Sequence, residues 1–150
     1  MAYALPRPLV MATGVFDLLH AQHVKLLQEA RSFGASLVVG VNSDESVKRL
    51  KGPSRPIIGQ DDRLRMVGAL RCVDQAVLFR EDTPIELVRS WRPDILVKGH
   101  DYRDSVLPEA EALKAWGGRV WIADTTGSIS TSEIIRKAWL ANEHERRSAK

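Results

Sequence analysis

Pro8-Leu-Val-Met-Ala-Thr-Gly-Val-Phe-Asp-Leu-Leu-His-Ala-Gln-His23 is the stretch that decides the fold. Residues 8–13 read as a buried strand, and Gly14 marks the turn that ends it. From residue 21 to 33, Val24, Leu26, Leu27 and Ala30 recur close to helical spacing, and Gly34 follows as a stop signal. A second apolar run over 36–42, Ser-Leu-Val-Val-Gly-Val-Asn, begins at once. It is apolar on both faces, as a parallel sheet covered by helices on both sides requires. Strand, helix and strand in so short a span define a crossover unit, and that unit sets the expectation for the rest of the chain.

Outward from it, the alternation continues. The pattern predicts helices over 43–50 and 61–71 with a loop over 52–59 between them, then a strand over 74–79. A helix follows to Trp91, with Thr83 as its N-cap and Pro84 at its first position. A strand over 94–98, a helix over 107–116, a strand over 119–123 and a last helix over 130–140 complete the order. The expectation is an α/β, Rossmann-like, doubly wound, five-stranded parallel sheet in a single domain over residues 1–140. Residues 141–150 are expected to form a charged, flexible C-terminal tail.

Composition narrows the function classes. The chain has 150 residues, 44% hydrophobic and 27% charged, which excludes a disordered chain, a collagen-like rod and a disulfide-rich mini-scaffold. Its apolar runs, such as 37–41, fall far short of the ~20 residues that span a bilayer. The first residues lack the basic start and apolar stretch of a signal peptide, and the single Cys72 forms no internal disulfide. A cytoplasmic protein without membrane partners is expected. The net charge of +3 is mild, but Lys48, Arg49, Lys51 and Arg55 fall together without an acid between them. With the cations gathered in one loop and aromatics at only 6%, nucleic acid is not the expected partner.

In a doubly wound sheet, ligands bind at the carboxyl ends of the strands near the point where strand order reverses. The loops after Thr13, Asn42, Lys98 and Ala123 are therefore the ones that matter. His20 and His23, three residues apart, share one face in the first turn of a helix. A helix N-terminus offers free N–H groups to an anion, and two imidazole donors beside it suit a polyphosphate. Three plainer readings stand beside this one: ordinary polar helix residues, a metal pair with Asp17, and Gly14 as a simple turn glycine. Lys98, at a strand end before Gly99, suits a phosphate contact, and Asp101 and Tyr102 could complete that pocket. Ser130 or Thr131 caps the last helix, and its N–H groups form a second anion seat.

Gly14-Val-Phe-Asp-Leu-Leu-His-Ala-Gln-His closely resembles the G-x-F-D-x-x-H-x-G-H signature of the cytidylyltransferase-like nucleotidyltransferases. Gln22 stands where that signature has its second glycine, so its side chain must swing aside or meet the ligand. The segments over 41–56, Gly68-Ala-Leu, Glu81-Asp-Thr-Pro, Pro93-Asp-Ile-Leu-Val-Lys-Gly-His-Asp-Tyr and Ser130-Thr-Ser-Glu-Ile-Ile look like the adenylyltransferase domain of ADP-heptose synthases. The likeness runs from about residue 9 to 137. It implies transfer of AMP from ATP to D-glycero-D-manno-heptose 1-phosphate by a stand-alone domain, 150 residues being too few to include a sugar kinase.

The resemblance also implies roles. His20 and His23 act on the phosphates, and Lys51 and Arg63 join them as candidate catalytic groups. Thr13, Gly14, Val15, Phe16, Gln22, Lys98, Gly99, Asp101, Ser130, Thr131 and Ser132 are candidates to hold the nucleotide. Lys48, Lys51, Arg55, Arg63 and Lys98 are candidates for the substrate phosphate, and Asp17 is expected to orient the turn or a histidine. Mg²⁺ is expected with ATP, and a homodimer is expected from the family and from Trp139.

Overall fold

The computed structural model describes residues 4–99, 107–127 and 129–149. Five strands, β1 (Leu9–Gly14), β2 (Ser36–Asn42), β3 (Gln75–Phe79), β4 (Ile95–Lys98) and β5 (Arg119–Ile122), form one parallel sheet in the order β3-β2-β1-β4-β5. The connecting helices are α1 (Ala21–Ser32), α2 (Asp44–Lys51), α3 (Gln60–Gly68), α4 (Ile85–Trp91) and α5 (Pro108–Lys114), with α6 (Thr131–Ser148) last. From β1 the chain winds out through β2 to β3, then returns to lay β4 on the other side of β1. The order therefore reverses between β1 and β4, which is where the expected crevice opens.

Side chains on successive strand residues point to opposite faces, and each face of the sheet has its own core. Val10, Ala12, Val39, Val41 and Val97 pack with Leu27 and Ala30 of α1 and Val67 of α3. Leu9, Met11, Val38 and Leu96 pack with Val88 of α4 and Leu113 of α5. β2 is buried from end to end, as its doubly apolar run requires. No helix among the described residues is long and apolar enough to cross a membrane.

Three local expectations change. α4 starts at Ile85, one residue later than expected. Pro84 is the N-cap, its carbonyl accepting from the Val88 N–H, and no side chain caps this helix, so Thr83 does not. α3 stops at Gly68 rather than Arg71, closing in a turn at Ala69. The largest difference lies at the C-terminus, where α6 does not end at Leu140 but runs to Ser148. Residues 141–148 contain neither Gly nor Pro, and alanine, glutamate and arginine are good helix formers whatever their charge. Glu143 also precedes Arg147 by four residues, the favourable orientation for a helical ion pair. A charged composition made the segment exposed; it did not make it irregular.

Candidate functional site

The turn between β1 and α1 is strained at two residues. Phe16 and Leu18 both lie in the left-handed region, at φ 53° and 52°, which side chains other than glycine adopt at a cost. Between them, Asp17 is 1% exposed, and its carboxylate holds the turn. It accepts from the Ile57 N–H at 2.8 Å, the Ile58 N–H at 3.0 Å and Arg55 Nε at 3.0 Å. Its carbonyl accepts from the Thr131 hydroxyl at 2.7 Å. Burial opposes ionisation of this carboxyl, but the two backbone N–H groups and Arg55 outweigh it and hold the pKa below the usual carboxylate value. Asp17 thus ties three chain segments together: the first turn, the loop before α3 and the start of α6. Its expected orienting role takes this form.

α1 opens at that turn with no acidic residue in its first turn, so nothing in its own sequence neutralises the positive end of its dipole. His20 is its N-cap residue, and the His20 N–H donates to His23 Nδ1 at 3.3 Å. A neutral imidazole that accepts at Nδ1 carries its proton on Nε2. The two rings stack with centroids 3.8 Å apart, and Phe16 meets His23 edge-on at 5.4 Å. Burial pushes the His23 pKa down to about 4, with His20 adding to the shift and Asp17 opposing it; burial also lowers His20. Both imidazoles are therefore neutral near pH 7, and a developing negative charge meets N–H donors and a helix dipole rather than two fixed cations.

At the end of β4, Lys98 is only 5% exposed, and its Nζ donates to the Thr13 hydroxyl at 3.1 Å. That bond joins the ends of β1 and β4 at the point of reversal. Burial lowers the Lys98 pKa, and Glu109 of α5, with Oε1 at 4.0 Å, opposes the shift. Ser130 settles the expected alternative at α6, since its hydroxyl accepts from the Glu133 N–H at 3.2 Å, while Thr131 reaches Asp17 instead.

These pieces surround a cavity of about 580 Å³, within the range of small-ligand sites. Thr13, Gly14, Val15, Phe16, His20, Gln22, His23, Lys51, Arg55, Lys98, Gly99, Ser130, Thr131 and Ser132 all line it. Asp101 and Tyr102 lie outside the described residues. Lys48 is exposed on α2 and does not line the cavity.

Arg63 departs most from expectation. It is 1% exposed and does not line the cavity; its guanidinium is taken up by the chain's own carbonyls and by Asp44. Its Nε donates to the Ile58 carbonyl, its Nη1 to the carbonyls of Val15 and Asn42, and its Nη2 to Asp44. Five N–H donors in a rigid fork make arginine suited to gathering carbonyls from several segments, and that is its role here.

Sequence reasoning passed over Phe79, Asp82 and Pro84, which line the cavity from the far end of β3 and the loop that follows. The Glu81-Asp-Thr-Pro segment was the available signal. It also passed over Glu109, whose pairing with Lys98 spans elements with no shared local pattern.

Gln22 lies against Gly127, so closely that a Cβ there would overlap its side-chain amide. Its Oε1 is sealed from solvent without a hydrogen-bond partner among the described residues. The glutamine thus takes up room that a glycine at position 127 leaves open. Gly127→Ala is expected to lower kcat/KM for nucleotide about tenfold, not through core strain but by displacing the flexible end of Gln22 into the cavity where the nucleotide would sit. Adding Gln22→Gly should return most of the loss. Equal loss in the single and double variants would show that the two residues do not share this space.

Known proteins resemble this chain. The family model described as cytidylyltransferase-like matches residues 11–137. The bifunctional protein HldE of Methylobacillus flagellatus is 50% identical over 129 residues, covering 86% of this chain and 26% of that protein. HldE of Syntrophotalea carbinolica is 48% identical over 131 residues, covering 87% and 27%. The chain thus spans about a quarter of the length of these relatives. Among solved structures, the lipopolysaccharide core biosynthesis protein of Thermoplasma volcanium is 35% identical, with a TM-score of 0.63, covering 81% of this chain and 98% of that one. A protein of unknown function from Archaeoglobus fulgidus, 19% identical with a TM-score of 0.61, shares the fold. With the first-turn signature at the strand-order reversal and a family match over most of its length, this chain belongs to the cytidylyltransferase-like family and is a nucleotidyltransferase.

Proposed function

We propose that this protein transfers AMP from ATP to D-glycero-D-manno-heptose 1-phosphate in the cytoplasm, giving ADP-heptose and pyrophosphate. The observation that carries the reading is the convergence of the His20–His23 pair, the α1 N-terminus and Lys98 on one cavity. Its segments resemble those of ADP-heptose synthases, and its relatives include a lipopolysaccharide core biosynthesis protein and bifunctional HldE proteins.

In this reaction an oxygen of the sugar phosphate attacks the α-phosphorus of ATP in line. The new P–O bond forms as the bond to the bridging oxygen of pyrophosphate breaks, and that oxygen keeps the electron pair. The Nε2–H of His23, the α1 N–H groups and the Lys98 ammonium donate to the oxygens where charge accumulates. Lys51 and Arg55 line the same cavity and offset the repulsion between two phosphorylated substrates. Asp17 positions Arg55, and Arg63 holds the floor of the site.

The donor set does not suit a resident metal. Among the described residues no three His, Cys, Asp or Glu side chains cluster as ligands, and Asp17 is already satisfied by three donors. Mg²⁺ would therefore accompany ATP, held by phosphate oxygens and water, and screen their charge.

The test is a panel of ATP, CTP and GTP, each with heptose 1-phosphate, read by identifying the nucleotide sugar formed. ADP-heptose as the main product is expected. A product from CTP or GTP alone would assign a different nucleotide. Nucleotide binding without any product would make this a silent binding subunit, the outcome that Gln22 in place of the signature glycine would then explain.

A further inference from the structure

The strand order divides the lining of the cavity at β1. His20, His23 and Lys98 gather there, and with them the charge of a triphosphate. Beyond Lys98, on the β4–β5 side, the lining is Gly99, Thr125 and Ile129, none of them charged. That half suits an uncharged nucleoside. On the β2–β3 side the wall carries Lys51 and Arg55, from the segment that joins β2 to β3, and Phe79 and Asp82 at and just after the end of β3. β3 is an edge of the sheet, two strand spacings or about 10 Å from β1. A phosphorylated sugar is of comparable length.

Asp17 and Asp82 are the two carboxylates on this wall among the described residues, and Asp17 is already taken by three donors. Asp82 Oδ1 accepts from Arg49 Nε at 2.7 Å, and Arg49 Nη2 donates to the Arg80 carbonyl at 2.7 Å. One guanidinium fork thus grips the loop after β3 at two points and fixes the direction of the carboxylate. The Asp82 Oδ2 has no partner among the described residues. A carboxylate offers acceptors only, so it repels a phosphate and receives hydroxyl hydrogens. Phe79 lines the same half with apolar surface for ring carbons, the usual setting for a few orienting polar groups.

We propose that Asp82 selects the sugar substrate by accepting hydrogen bonds from hydroxyls at the end of the molecule farthest from its phosphate. The assignment rests on the proposed sugar 1-phosphate substrate and names the residue that reads it. Lys51 and Arg55 take the phosphate, and the sugar runs outward to Asp82 at the sheet edge. In heptose 1-phosphate that end is an exocyclic chain, one hydroxyl-bearing carbon longer than in D-mannose 1-phosphate, whose ring is the same. Arg49 does not line the cavity and is a positioning residue, acting through Asp82.

The test compares heptose 1-phosphate with D-mannose 1-phosphate on the whole chain. Binding of each is measured by calorimetry beside a non-hydrolysable ATP analogue, and KM and kcat are measured with ATP. The Asp82 side chain is 58% exposed, so Asp82→Ala should keep the wild-type circular dichroism spectrum. It should raise Kd and KM for heptose 1-phosphate about tenfold, the scale of a lost hydrogen bond to a charged group, with KM for ATP within about twofold of wild type. D-Mannose 1-phosphate should lose less, so the preference for the heptose narrows. Asp82→Asn, which keeps one acceptor oxygen, should fall between, and Arg49→Gln should move the same values in the same direction by less. Unchanged sugar binding in Asp82→Ala, an equal loss for both sugars, a rise in KM for ATP instead, or a wild-type chain that binds neither sugar phosphate would overturn the proposal. Sugar binding that depends on Asp82 in this way, without any product, would overturn the transferase reading alone.

Discussion

His23→Ala is expected to lower kcat for pyrophosphate release by roughly 10²–10³-fold, the scale seen when one preorganised donor to a developing charge is lost. KM for the nucleotide should change much less, because the α1 N-terminus and Lys98 remain. The proton's place decides this: His23 accepts at Nδ1 from the His20 N–H, so Nε2–H is the donor available to the ligand. The pKa of about 4 adds a pH signature. In the unfolded chain a histidine takes up its proton near pH 6.5, whereas in the folded chain it does so only near 4. Between these values the unfolded state binds more protons, so folding stability falls as pH falls through 6.5 and the loss is complete below about 4. The wild-type protein should therefore lose about 3 kcal/mol of stability across that window from this group. His23→Gln should flatten that slope in urea titrations at pH 7 and pH 4.5. An unaltered slope would mean that His23 titrates normally.

Asp17→Ala is expected to destabilise the fold by roughly 3–5 kcal/mol, because it leaves Arg55 and two backbone N–H groups facing a space without an acceptor. For a domain of this size that is a fall in Tm of roughly 10 °C. The left-handed Phe16 and Leu18 lose the group between them that holds the turn, so activity should fall beyond what the fraction unfolded explains. Asp17→Asn keeps an acceptor oxygen for the backbone but loses the charge opposite Arg55, and should fall between the two. If Asp17→Ala melts within a degree or two of wild type, the clamp has been misread. Asp17 and His23 each lie three positions from His20 and line the same cavity but do different work: His23 is a donor at its wall, whereas the Asp17 carboxylate is occupied by Arg55 and two backbone N–H groups.

The parts of the fold that were legible in the sequence are those written in short-range patterns. β2, apolar at alternate and intervening positions alike, has the expected bounds, and the strand–turn–helix of the first motif sits where the strand order reverses. Most cavity residues could be named because they sit at strand ends or helix starts, where the fold class puts ligands. Arg63 was illegible because its partners, Val15, Asn42, Asp44 and Ile58, converge only after folding, and an arginine at a helix start looks the same whether it faces anion or carbonyl. Glu109 was illegible for the same reason, since nothing near it in sequence signals a buried lysine. The end of α6 was illegible because a charged composition marks exposure, whereas a helix terminates for reasons of backbone and capping.

The central proposal is that the donors of one cavity act on the α-phosphate of a nucleoside triphosphate. Its most direct test is pyrophosphate release from MgATP with D-glycero-D-manno-heptose 1-phosphate, measured for the wild-type protein and for the His20→Ala, His23→Ala double variant. Release that requires both substrates, and that the double variant lowers at least a hundredfold while still binding ATP, is the predicted result. Release by the double variant at the wild-type rate would contradict the account.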